Sequence, residues 1–83
     1  MFISLVSQTI ILINTQLNSE KEVIQNLWRI QGVKEVFWVY GIYDIIVMIE
    51  ASTQEKLKEK IVNEVRRVDG IRNTLSLIVV EDS

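Results

Sequence analysis

Two short stretches of this chain repeat one another about 38 residues apart, and the repeat sets the order of secondary structure before any single residue is interpreted. Ile30-Gln31-Gly32-Val33-Lys34 and Val68-Asp69-Gly70-Ile71-Arg72 each close an amphipathic helical run and open a β-rich one. The unit is strand, helix, strand, used twice. Two such units in one 83-residue domain give β-α-β-β-α-β, the split βαβ order of ferredoxin-like folds. The expectation is an α+β domain in which a four-stranded antiparallel sheet carries both helices on one face.

Local signals place the elements. Ile10, Ile11, Leu12 and Ile13 form an apolar run of strand length within residues 9–15. Ser19 with Glu22 has capping-box spacing and predicts a helix from near Glu20, with Val23, Ile24, Leu27 and Ile30 on one side and Gly32 ending it. Residues 33–40 and 43–51 are β-branched and aromatic, and their separation by Gly41-Ile42 predicts a hairpin. Ser52 with Glu55 repeats the capping-box spacing, Leu57, Ile61, Val65 and Val68 make the next stripe, and Gly70 closes it. Residues 71–80 read as the last strand, and the acidic tail Glu81-Asp82-Ser83 is expected to fray.

Composition then removes whole classes of chemistry. Cysteine and histidine are both absent, so disulfides, thiol or imidazole catalysis and the usual soft-metal sites fall away together, and no cofactor is expected. No P-loop or GxGxxG occurs, and Glu20, Glu22, Glu55, Glu59 and Glu64 sit where capping and solubility explain them, so no catalytic constellation is visible. A net charge of -2 with no basic run lacks the footprint of a nucleic-acid binder, so direct DNA binding is not expected. Residues 1–6 are apolar but too short to span a bilayer and lack a basic n-region, which predicts a cytoplasmic protein with no membrane association.

The strand at residues 43–51 is apolar on both sides: Ile45, Val47 and Ile49 point one way, Ile46 and Met48 the other. Two helices on one face cannot cover both. Exposing these residues together with Phe37 or Trp38 makes an apolar patch larger than soluble monomers carry, so a homodimer packed sheet against sheet is expected, burying on the order of 2,000 Å² or more. A monomer using that face as a ligand-binding floor is the alternative.

Gly41-Ile42-Tyr43-Asp44 packs a turn glycine, an aromatic ring and a carboxylate between two hydrophobic strands, where Asp44 is out of character. Asp44 either accepts hydrogen bonds that fix the hairpin or meets a ligand. Thr74 and Ser76 lie two apart on one face of the last strand and offer a pair of hydroxyls. Lys58, Lys60, Arg66 and Arg67 read as a solvated helical face, and Trp28 as packing or a subunit contact.

Taken in order, Gly32-Val33-Lys34-Glu35-Val36, Gly41-Ile42-Tyr43-Asp44 and Asp69-Gly70-Ile71 leading to Thr74-Leu75-Ser76 resemble the effector-binding domain of Lrp/AsnC transcriptional regulators, over residues 9–80. The resemblance implies dimers formed by packing sheets together and assembled into a ring, an octamer or decamer, with small amino-acid effectors between neighbouring dimers. It places the effector at Gly41, Ile42, Tyr43 and Asp44, with Thr74 and Ser76 nearby. Ser76 stands where the family more usually has threonine and keeps the hydroxyl.

Family regulators carry a helix-turn-helix before this domain, and only residues 1–8 precede the first strand here, so the chain resembles the stand-alone members and is expected to act through full-length Lrp/AsnC regulators or other protein partners. Competing readings are an oligomer-forming partner with a vestigial pocket, or a small α/β-barrel enzyme of monooxygenase or acylphosphatase kind, which rests on fold analogy alone. The missing histidines count against haem-binding barrel enzymes. The loop at residues 16–19 lacks the arginine an acylphosphatase needs.

Overall fold

The computed structural model describes residues 7–80, so the expectations for residues 1–6 and for Glu81-Asp82-Ser83 lie outside the described residues. The order is β1 (Ser7–Thr15), α1 (Glu20–Trp28), β2 (Val33–Trp38), β3 (Ile45–Ala51), α2 (Gln54–Lys60) continued by a π-turn (Ile61–Val65), and β4 (Ile71–Ile78). The strands stand in the order β2-β3-β1-β4, every neighbour antiparallel. This is the ferredoxin-like β-α-β-β-α-β order that the internal repeat predicts.

The glycines of the two echoed segments do the same work. Gly32 (φ +100°) and Gly70 (φ +95°) both take left-handed backbone conformations, and both lie against a neighbour too close for a side chain. A Cβ on Gly32 would stand 2.5 Å from the Glu50 carbonyl oxygen, and one on Gly70 would stand 2.8 Å from Ser19 Cβ. Neither glycine caps its helix, which ends four or five residues earlier; each closes the turn that leads into the following strand.

Several boundaries differ from the expectation. Ser19 takes the N-cap position of α1, but at φ -99° and ψ 0° it lacks the extended backbone a capping hydroxyl needs, and its side chain makes no cap bond. At α2 the cap is Thr53 rather than Ser52: Thr53 is extended, and its hydroxyl accepts from the Lys56 N–H at 3.1 Å. α1 stops at Trp28, where the chain tightens into three-residue turns, Arg29 N–H to Asn26 and Ile30 N–H to Leu27. The β2–β3 connection spans residues 39–44 rather than two residues, and the Val39 N–H donates to the Asp44 carbonyl at 2.8 Å to close it.

The π-turn follows from the stripe itself. Leu57, Ile61 and Val65 recur every four residues, and a regular α-helix rotates such positions by about 40° each time. Widening the turn, with the Arg66 N–H donating to Ile61 at 3.0 Å, keeps Ile61 and Val65 both buried on the sheet.

The sheet has two unlike faces. Under the helices, Ile11 and Ile13 of β1 and Ile45, Val47 and Ile49 of β3 meet Val23, Leu27, Leu57 and Val65, all fully buried. Buried Thr9 satisfies its hydroxyl by donating to the Leu77 carbonyl at 3.0 Å. On the other face, Ile10, Leu12, Ile46 and Met48 are half-buried, while Phe37, Leu75 and Leu77 are 50, 45 and 48 % exposed. That apolar centre has polar ends: Gln8 donates to Glu50 at 3.0 Å, Lys34 lies 3.8 Å from Glu50, and Asn14 donates to Asn73 at 3.1 Å. Trp38 does not belong to this face, because it pairs with helix-facing Ile45.

Candidate functional site

The antiparallel order brings the end of β1, the end of β2 and the starts of β3 and β4 to one end of the sheet, with Ser19 at the start of α1 against Gly70 just before β4. Glu20, Trp38, Val39, Tyr40, Gly41 and Asp44 enclose a hollow of about 410 Å³ there. Two of its lining residues are carboxylates and two are aromatic, and none is cationic.

Asp44 ties the hairpin to β1. One of its oxygens, Oδ2, accepts from the Thr15 N–H at 2.9 Å and from the Thr15 hydroxyl at 3.3 Å, and its own N–H donates to the Ile13 carbonyl at 2.9 Å. Its other oxygen accepts no hydrogen bond among the described residues. The carboxylate thus fixes the hairpin, as its place in the sequence allows, and still leaves one oxygen free. Gly41 has no left-handed φ and nothing within 4 Å of the position its Cβ would occupy, so the chain itself does not require a glycine there. Ile42 and Tyr40 are exposed, and Tyr43 is half-buried.

Thr74 lines a second, smaller hollow of about 200 Å³ at the same end of the sheet, together with Arg66, Ile71, Arg72 and Asn73. A single chain therefore does not gather the six expected residues in one place: Gly41 and Asp44 share the first hollow, Thr74 lines the second, and Ile42, Tyr43 and Ser76 line neither. Thr74 and Ser76 do share a face, the one under the helices, since they pair with Ile13 and Ile11. The Ser76 hydroxyl is closed to solvent and has no hydrogen-bond partner.

Sequence reasoning missed Glu20 and Trp38 as members of this end. Glu20 reads as a helix-start carboxylate, and only the return of the chain through residues 16–19 carries it to the hairpin. Trp38 reads as part of the open face, and only the register with Ile45 turns it away. Among the described residues no cluster of acidic side chains could hold a metal ion, and no helix is long and apolar enough to cross a membrane.

Residues 8–82 match the family described as the Lrp/AsnC ligand binding domain. The chain is 28 % identical over 60 residues to an uncharacterized HTH-type transcriptional regulator of Pyrococcus horikoshii, covering 72 % of this chain and 40 % of the regulator. It is also 37 % identical over 59 residues to homocitrate synthase of Saccharolobus solfataricus, covering 71 % of this chain but 13 % of the enzyme. The chain thus spans less than half the length of either relative. Among solved structures it superposes on the hypothetical protein PHS023 of Pyrococcus horikoshii with a TM-score of 0.85 and 33 % identity over 92 % of both chains. These likenesses support a regulatory ligand-sensing role; the enzyme match is partial.

Proposed function

The chain belongs to the Lrp/AsnC ligand-binding domain family, and on that premise we propose that it is a ligand-sensing and oligomerisation module that takes a small amino acid between dimers and acts on transcription or metabolism through protein partners. The observation that carries this reading is the hollow lined by Glu20, Asp44, Trp38 and Tyr40. Two carboxylates without a cation among their neighbours attract an ammonium group, and the faces of two aromatic rings add to that attraction.

The rest of the molecule supports the same reading. The apolar face centred on Ile10, Leu12, Ile46 and Met48 fits a second copy of this sheet, giving a homodimer, and the hairpin end then lies at the dimer's margin, where further dimers close a ring. Gly41, Ile42 and Tyr43 form the lip of the site, and Thr74 stands at the hollow beside it, with Ser76 behind. The same module is recognisable in about two fifths of a transcriptional regulator and about an eighth of a biosynthetic enzyme, which favours a portable sensor over a part of any one output. With a net charge of -2 and no basic stripe, the isolated chain binds no DNA specifically.

Calorimetric titration of a panel of amino acids tests this against wild type, Glu20→Gln and Asp44→Ala, with melting temperature recorded for each. Glu20→Gln should weaken binding with only a small fall in melting temperature, because Glu20 makes no hydrogen bond or ion pair with a side chain among the described residues and loses only its first-turn charge in α1. Asp44→Ala should weaken binding and also melt earlier, since the Thr15 N–H loses its acceptor. If no amino acid binds wild type at millimolar concentration, the hollow is structural and the chain is an oligomer-forming partner only.

A further inference from the structure

The two echoed segments place a cation at the same point, and the structure uses only one of them internally. Lys34 and Arg72 each follow their glycine by two residues, and each is the extra residue where its strand slips register: Val33 pairs with Ile49 and Glu35 with Met48, Ile71 with Thr15 and Asn73 with Asn14. Such bulges re-aim a side chain. The re-aimed Lys34 finds Glu50 at 3.8 Å. Arg72 finds no carboxylate among the described residues, whose ion pairs are Lys34–Glu50 and Lys60–Glu64. It lines instead the small hollow with Arg66, Asn73 and Thr74. Arg66 arrives there from the opposite side, as the first residue after the π-turn. Two backbone irregularities, a bulge and a π-turn, thus bring Arg66, Arg72 and Thr74 to one hollow with no acidic residue lining it.

We infer that Arg66 and Arg72 form an oxyanion site that reads the carboxylate of the amino-acid ligand, with the Thr74 hydroxyl as a further donor. Guanidinium groups match a carboxylate in shape as well as charge, and a threonine hydroxyl can donate to it. The inference rests on the amino-acid reading above and assigns the end of the ligand that the acidic hollow cannot hold. Geometry adds a condition. The acidic hollow lies at β2 and β3 and the basic one at β4, two to three strand spacings away, or about 10–14 Å across the sheet. An α-amino acid is far shorter than that. Both of its ends are therefore read together only when the acidic hollow of one copy meets the basic hollow of another, and the site is incomplete in a single chain.

The test is calorimetric, on the full chain in its native assembly. The probes are the tightest binder in a panel of the common L-amino acids, the methyl ester of that amino acid and, separately, succinate. The ester keeps the ammonium group but carries no carboxylate charge. Wild type should prefer the acid over the ester by about tenfold or more, as loss of a charge-assisted hydrogen bond implies. Arg66→Gln and Arg72→Gln should each erase that preference by weakening the acid alone, whereas Arg67→Gln, outside the hollow, should leave it intact. An acid-to-ester ratio unchanged in both hollow variants overturns the inference while leaving the amino-acid reading standing. If no amino acid binds wild type, that reading fails first, and succinate decides the arginine site by itself: binding weakened in both variants sustains an oxyanion site, and no binding to wild type overturns it.

Discussion

Leu12 and Ile13 are neighbours on β1 and nearly the same size, yet Ile13 is 0 % exposed among helix side chains while Leu12 is half-buried on a face that no helix covers. Along the strand this alternation gives two apolar faces of different standing. The helix face closes within one chain: its side chains touch Val23, Leu27, Leu57 and Val65 from above, and the buried Thr9 hydroxyl on it is satisfied. The open face has an apolar centre and hydrogen-bonded polar ends, the anatomy of an interface awaiting its other half. The first face makes the monomer a fold, and the second is the surface on which the homodimer proposed above would form.

The largest expected effect separates the two faces on one strand. Ile13→Ala should destabilise the chain by about 2–5 kcal/mol through lost burial and the cavity left behind, whereas Leu12→Ala should cost well under half as much when unfolding is followed at protein concentrations where dimers dissociate. Denaturant titration of both variants checks this. Equal losses would mean that the open face is packed within the monomer.

Next in size is the effect on assembly. Leu12→Glu sets a charge at the centre of the open face, where a dimer interface would have to bury it unpaired. The variant should sediment as a folded monomer under conditions in which wild type sediments as a dimer or larger. Sedimentation of wild type as a monodisperse monomer at micromolar concentration would remove the interface from the account altogether. Because the composite ligand site proposed above needs more than one copy, Leu12→Glu should also lose amino-acid binding although it touches neither hollow.

A third contrast concerns the glycines. Gly70→Ala forces a left-handed residue and a Cβ 2.8 Å from that of Ser19, and should cost about 1–3 kcal/mol. Gly41→Ala meets open space and should lie within about 0.5 kcal/mol of wild type. Thermal melts of the pair check both. A Gly41→Ala variant that melts normally but binds amino acid more weakly would show that the glycine serves the ligand and not the hairpin.

Most of the fold could be read from periodicity, because a stripe at helical spacing and an alternation of two are each set by short-range geometry. Val23, Leu27 and the Ile45, Val47, Ile49 series lie where those patterns put them. What escaped was set by tertiary structure. The two-residue hairpin failed because Asp44 turns its carboxylate to Thr15 of β1, a partner 29 residues away that no local pattern shows. The capping position moved to Thr53 because backbone angle, not spacing, decides which hydroxyl can cap. At the candidate site, Asp44 and Thr74 could be found as polar residues in or beside apolar strands. Glu20, Arg66 and Arg72 could not, since each looks like an ordinary surface charge until a loop return, a π-turn or a bulge aims it.

The effect expected at Ser76 is small, and its sign is informative. Ser76 and Thr9 lie on the same face of the sheet on neighbouring strands, and both place a hydroxyl out of contact with solvent. The Thr9 hydroxyl donates to Leu77, so Thr9→Val should cost about 1 kcal/mol for the lost hydrogen bond. The Ser76 hydroxyl has no partner, and an unpaired buried polar group is itself unfavourable, so Ser76→Ala should be neutral or more stable by up to about 1 kcal/mol. Chemical denaturation of the ligand-free chain resolves the two signs. A destabilised Ser76→Ala would mean that the hydroxyl has found a partner in solution. Repeating the measurement with saturating amino acid then tells which: a penalty that appears only with ligand makes Ser76 part of the site reached from Thr74, and a penalty present in both states makes it part of the core.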